Sequence, residues 1–386
     1  MMNVKNMKNK LIVIAILSVS FVSLIRGTLN PGMALLYQHY NQYPPSIISL
    51  VTTLPSLAVI PVSFIFGKIT GIKIKYKTAV ILMNCFLLIG GVGPYFFDQI
   101  YFLLIMRFIF GIGVGIAITV HKPLILEFFE EDQQKKYLGY TTIIGSAGMI
   151  FFQTLVGWFS QYSWNDMFLS YLPLILTLIL SFFLADIELK SVKVKKKESL
   201  KLNIKFFVLI FIYLLMNMVA TSFGINQSVL FLLKGFTNTA VFTASCSNIQ
   251  ALFSMISGFM FGKLEKRYQN QLLYMSLIFC AISVFVIGIS HEDIIIIIMM
   301  SIFGFFYNIV VLYIFIILAN LVTDEQKAVA GGYMGTAAGI GGFFATGLLE
   351  LCDRIFHESI YSIVGMFVVL FILLYFLIKR IFYEDI

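Results

Sequence analysis

Apolar runs of the length a helix needs to cross a hydrocarbon core of about 30 Å recur along the whole chain. They fall at 11–37, 46–66, 78–97, 100–121, 138–160, 167–185, 206–233, 239–261, 271–290, 293–319, 329–351 and 359–379. A bilayer interior offers no water to backbone N–H and C=O groups, so each run must satisfy them internally as a helix. The expected fold is all-α, a polytopic membrane protein of twelve transmembrane helices. Composition agrees: 60% of residues are hydrophobic and 12% charged, where a soluble domain has about a quarter charged. A soluble enzyme is excluded. The run that opens at Leu11 continues for more than 20 residues without a small-x-small cleavage site, so it reads as the first span and not as a removed leader.

The net charge of +8 invites a nucleic-acid reading until its placement is inspected. Of 27 Lys and Arg residues, 23 fall in alternate hydrophilic segments, beginning with the N-terminus, while Lys234 and Arg354 lie on the other side. Basic residues accumulate on the cytoplasmic side. Both termini are therefore expected in the cytoplasm of a cell-membrane protein, and no nucleic acid is implied. The polar stretch 186–205 holds seven lysines and separates two six-helix halves, 1–185 and 206–386. It reads as a flexible cytoplasmic linker and topology determinant, with attraction to anionic headgroups of membrane lipids as a lesser role.

Four cysteines, Cys85, Cys246, Cys280 and Cys352, stand singly, which indicates neither a metal site nor a disulfide framework. An internal repeat is more informative. Ile105–Gly111 matches Ile298–Gly304 at five of seven positions. Asp132, Gln134, Lys135 and Gly139 match Asp324, Gln326, Lys327 and Gly331, and Gly67-Lys68 matches Gly262-Lys263. The offset stays near 193 in all three places, the signature of a parallel repeat of two bundles.

With these features the sequence resembles the major facilitator superfamily over essentially its whole length. The glycine-led basic segment after the second span, with Gly67 and Lys75, is similar to that family's loop signature; its second copy keeps Gly262 and Arg267. The fourth span, with Leu103, Arg107, Gly111, Gly113 and Gly115, is similar to the family's arginine-and-glycine pattern. The Gly-Pro pair of drug:proton antiporters falls at Phe152-Gln153 and is absent. The resemblance implies two pseudo-symmetric bundles, alternating access, cytoplasmic gate loops at Gly67, Lys75, Gly262 and Arg267, and function as a monomer. Export is favoured over import, and a proton or counter-ion gradient replaces any bound cofactor.

An ionisable side chain inside the membrane faces a cavity or a partner by default. Two arginines qualify. Arg26 stands 15 residues after Leu11, about 22 Å along a helix, and Arg107 stands 7 after Ile100, about 10 Å down from the opposite side. Both are expected at similar depth in the first half, as substrate-binding or coupling residues. Arg107 aligns with Met300 in the repeat, so the fold itself does not require a cation there. Of 19 acidic residues none lies mid-membrane, which disfavours cationic solutes and carboxylate-based proton coupling. The cavity should attract a small anionic or polar organic solute.

Neutral polar residues in spans come next, because an unsatisfied amide in hydrocarbon seeks a partner, cavity or water. Asn30, Gln153, Asn217, Asn226, Asn248 and Asn308 are the candidates, beside Gln227, Gln250 and Tyr307. Asn30-Pro31-Gly32 should kink the first span, and Pro55 and Pro61 the second. The glycines of the fifth and eleventh spans read as close helix packing. Two other readings compete: multidrug efflux by drug:proton antiport, and a membrane sensor or intramembrane enzyme. No HExxH, no paired Ser and His within spans and no Walker motif is present, so neither proteolysis nor direct use of ATP is expected.

Overall fold

The computed structural model describes residues 7–129, 131–184, 204–321 and 327–356. The expected twelfth span and nearly all of the linker lie outside them. The described residues form helices and turns, with one isolated bridge between Thr70 and Ile74. The chain divides into two compact units, Met1–Lys196 and Lys197–Ile386.

The N-terminal unit contains α1 (Met7–Phe21), α2 (Met33–His39), α3 (Pro45–Ile69), α4 (Tyr76–Val92), α5 (Ile100–Phe128), α6 (Glu131–Phe159) and α7 (Leu174–Ser181). The C-terminal unit contains α8 (Ile204–Leu233), α9 (Thr239–Tyr268), α10 (Asn270–Ile289), α11 (Asp293–Asn320) and α12 (Lys327–Phe356). Among the described residues seven helices are long and apolar enough to cross a membrane: α3, α4, α5, α8, α9, α10 and α11. The pair α1 and α2 meets the same test of length and composition when taken together, across a bend of 48°. The expected fifth and sixth spans appear as the shorter apolar stretches Ile143–Phe159 and Asp166–Ser181. The first belongs to the unbroken α6, and the second opens on the 3-10 helix Asp166–Tyr171.

Helical periodicity decides what each span buries. On α5 the buried residues Leu103, Arg107, Phe110, Val114 and Ala117 recur every three or four positions, while Tyr101, Ile105 and Phe108 are exposed. On α8 the same spacing joins Phe206, Leu209, Ile212, Met216, Val219, Phe223 and Leu230. Each stripe faces its own unit's core, and the opposite face is apolar and uncovered, as a lipid-exposed helix requires.

The first span is not the single helix expected from its hydropathy. It stops at Phe21, passes through 3-10 turns at Ile25–Gly27 and Asn30–Gly32, and resumes as α2. Pro31 supplies no N–H. Ser23 and Thr28 turn their hydroxyls onto the carbonyls of Ser20 and Ile25, at 2.7 and 2.8 Å, offering the backbone a local alternative to a helical ladder. Gly32 lies so close to Met167 that a Cβ would overlap its sulfur. By contrast α3 runs unbroken through Pro55 and Pro61.

The repeat is visible in the packing. A Cβ on Gly148 of α6 would overlap the carbonyl oxygen of Phe21, and one on Gly341 of α12 would overlap that of Leu214. Both members of each pair are offset by 193. Likewise Gly111 of α5 admits the backbone of Pro55, and Gly304 of α11 admits that of Gln250. The same close helix seams are built twice, once in each unit.

The segments expected as gate loops are largely helical. Gly67 lies inside α3, Gly262 inside α9 and Arg267 in the last turn of α9. Only Lys75, the residue before α4, is outside a helix. The connections are shorter than the polarity of the sequence indicates because charged residues extend the helices beyond their apolar stretch. The turn after α3 closes on Gly71, whose φ of +79° belongs to the left-handed region that glycine enters without steric cost.

Candidate functional site

Arg107 sits on the buried face of α5 and is completely enclosed. Its Nε donates to the carbonyl oxygen of Val51 on α3 at 2.9 Å. Its Cζ stands 4.2 Å from the ring centroid of Phe110 and 5.8 Å from that of Tyr171. Neither Nη1 nor Nη2 makes a hydrogen bond of ordinary geometry within the described structure. No described carboxylate pairs with it. A guanidinium keeps its proton under all ordinary conditions, so a full positive charge is held here by one carbonyl dipole and two aromatic faces. Those contacts lower its energy without cancelling its charge.

Tyr171, at the end of the 3-10 helix before α7, packs beside Arg107. Its ring packs against Phe110 at 5.1 Å and stacks on Phe152 at 6.0 Å. Gly91 of α4 makes room for it: a Cβ there would lie 2.9 Å from the tyrosine side chain. Its hydroxyl lies 3.0 Å from the Thr28 hydroxyl, in the broken part of the first span. Arg26 is two residues away, half-buried in the turn Ile25–Gly27. The structure thus gathers Arg107, Phe110, Phe152, Tyr171 and Thr28, with Arg26 close by in sequence. Gln153 of α6, next to Phe152, is 6% exposed and its Oε1 accepts no hydrogen bond. Asn30 is half-buried at the start of the second 3-10 turn.

Thr28 and Tyr171 were not singled out in the sequence. A hydroxyl in an apolar run has no visible direction in one chain, and Tyr171 stands among tyrosines that read as interfacial. Asn84 was missed for the same reason: it is fully buried on α4 and accepts from Thr177 of α7 at 2.6 Å.

In the C-terminal unit Met300 takes the place of Arg107. Its sulfur accepts from Nε2 of Gln227 at 3.1 Å, and the Gln227 Oε1 accepts from Ser247 at 3.1 Å. Thr243, one turn before Ser247 on α9, is fully buried with no hydrogen bond to its hydroxyl. The asparagines here are used locally. Asn217 donates to Tyr213 O and Asn226 to Ser222 O, each at 2.8 Å on its own helix. Asn308 of α11 crosses to α9, donating to Ser254 O and Ser257 Oγ at 2.9 Å. Asn248 lies half-buried on α9. Among the described residues this interior holds neutral polar groups, where that of the N-terminal unit holds Arg107.

Titratable groups also gather at one end of the N-terminal unit. His39 stacks on Trp164 at 4.2 Å and reaches the Asp98 carboxylate at 2.8 Å, which also accepts from Tyr40 at 2.9 Å. Partial burial acts to raise the Asp98 pKa, but the contacts with His39 and Tyr40 outweigh it and hold the carboxyl below its ordinary value. No group of three or more His, Cys, Asp or Glu residues suited to a metal ion occurs among the described residues.

Comparison with known proteins identifies the fold. The sequence profile of the Major Facilitator Superfamily matches residues 15–346. No curated protein sequence matches the chain. Among solved structures, a bacterial homologue of the human lysosomal transporter Spinster, inward-facing and occupied, superposes with a TM-score of 0.74 at 14% identity over 99% of each chain. The nucleoside transporter NupG gives 0.77 at 11% identity, over 98% of this chain and 100% of its own. The peptide transporter POT gives 0.77 at 12%, over 98% and 96%.

Proposed function

Because this chain belongs to the Major Facilitator Superfamily, we propose that it is a secondary transporter, not an enzyme, and that it moves a small anionic organic solute by alternating access. One observation carries the choice of solute: the enclosed guanidinium of Arg107, with two nitrogens free of hydrogen bonds and no described carboxylate against it. A buried unpaired charge is costly, and a bound anion removes that cost. At an effective dielectric of about 20, one close contact with an anionic oxygen is worth a few kcal/mol. Arg26 adds a second cation on the neighbouring broken span.

In this reading the protein lies in the cell membrane with both termini in the cytoplasm, works as a monomer and exports its solute. A proton or counter-ion gradient drives it. The placement of Lys and Arg along the chain supports the orientation, and the family resemblance supports the direction.

The test is thermal unfolding of the purified protein across a panel of organic anions, cations and neutral solutes. A saturating anion at a hundred times its Kd should add about 2.7 kcal/mol. Arg26→Gln and Arg107→Gln should each lose that response. Arg107→Met should lose it while remaining folded, since the repeat already accommodates Met300 at the equivalent place. Stabilisation by lipophilic cations that survives all three substitutions would overturn the proposal in favour of drug:proton antiport.

A further inference from the structure

Two hydroxyls connect the surroundings of Arg107 to the broken span. The Thr28 hydroxyl lies 2.8 Å from Ile25 O and 3.0 Å from the Tyr171 hydroxyl, a contact in which either oxygen can donate. The Arg107 guanidinium stands 5.8 Å from the centroid of the same tyrosine ring. The path runs from Arg107 through Tyr171 and Thr28 to the carbonyl of Ile25. Neighbouring polar groups along it polarise one another, and it ends on the 3-10 turn that contains Arg26. Tyr171 is also fully buried, and the close approach of Gly91 limits any shift of its ring.

The far end of this chain is the part of the unit best able to respond. Between Phe21 and Met33 the backbone is held by short-range bonds such as Ile25 N–H to Val22 O and Thr28 N–H to Ile25 O, each at 3.3 Å. Such turns open more readily than a continuous helix. From this geometry we infer that Tyr171 is a positioning residue: it transmits occupancy of the Arg107 site by an anionic oxygen to the broken segment 22–32 of the first span. The inference rests on the anion reading above. An anion at Nη1 and Nη2 draws the guanidinium's field away from the tyrosine oxygen. That weakens the polarisation of the Tyr171–Thr28 bond and changes the hold on the Ile25 turn.

The experiment pairs two readouts on the full-length protein, with benzoate and inorganic phosphate as probes. The first is anion-dependent thermal stabilisation, which reports binding. The second is amide hydrogen exchange in peptides covering residues 20–33, with and without anion, which reports the segment. In the parent protein the anion should change exchange there by about fivefold, a modest coupling between two sites. Tyr171→Phe keeps the ring packed and removes only the hydroxyl. It should retain anion stabilisation and lose the exchange response, and Thr28→Val should do the same from the other end of the bond. A wild-type exchange response in Tyr171→Phe overturns the inference. So does loss of stabilisation in that variant, which would make Tyr171 a direct ligand contact. Stabilisation of the parent with an indifferent 20–33 segment sinks the inference alone, whereas no stabilisation by either anion sinks the anion reading as well.

Discussion

At the scale of single residues, the contrast between Arg107 and Met300 separates what the fold needs from what this chain adds. Both are fully buried at equivalent places in a repeat, and a thioether with an amide donor fills the second place adequately. A guanidinium in the first is a commitment that only a ligand or partner rewards. Lys234 is the opposite case, a cation with evident partners. It follows α8 directly, and its Nζ donates to the carbonyls of Ile287 and Ser290 at the end of α10, the latter at 2.6 Å. Burial pulls its pKa down to about 8, whereas an unfolded lysine titrates near ~10.4. Between those values the unfolded chain holds a proton that the native protein has lost, so stability rises with pH through that window. Denaturation followed from pH 7.5 to 10.5 should show this rise, and Lys234→Met should flatten it. The arginines were legible in the sequence because a charge in an apolar run stands out against its surroundings. Thr28, Tyr171 and Asn84 were not, since their direction depends on helix rotation.

At the scale of elements, glycine position decides which helices can touch. Gly148 and Gly341 each receive a neighbouring carbonyl where a methyl group would stand, while Gly335 has no atom of the described residues within 4 Å of that place. Gly148→Ala and Gly341→Ala should each destabilise by about 1–3 kcal/mol through overpacking. Gly335→Ala should be neutral or stabilising by up to about 1 kcal/mol, because alanine is the better helix former. Unfolding of the three variants side by side checks both signs. The density of glycine in these spans announced close packing, but not which glycines carry it. The first span shows a similar limit. Its 27 apolar-run residues, 11–37, predict a crossing, and Pro31 predicts a bend near its own position. The helix nevertheless ends at Phe21, where the hydroxyls of Ser23 and Thr28 turn onto the backbone before the proline is reached. Hydropathy sees none of these.

For the whole molecule, the placement of lysine and arginine gives an orientation that can be checked directly. A membrane-impermeant amine reagent should modify Lys190, Lys193 and Lys195 in inside-out vesicles and spare them in right-side-out ones. Modification from the outside would reverse the topology. Fold class was readable at this scale because span length and charge alternation are sums over many residues, which local exceptions do not disturb. The chemistry of the site depends on a handful of contacts and needed coordinates. The paired seams, Gly148 against Phe21 and Gly341 against Leu214, have a consequence of their own. Two halves written on one pattern serve as each other's control. Where they agree, in the glycines and the backbones they admit, the residues answer to the packing of a bundle. Where they differ, at Arg107 and Met300, the packing is satisfied either way, and the charge in one half is a property the pattern does not ask for.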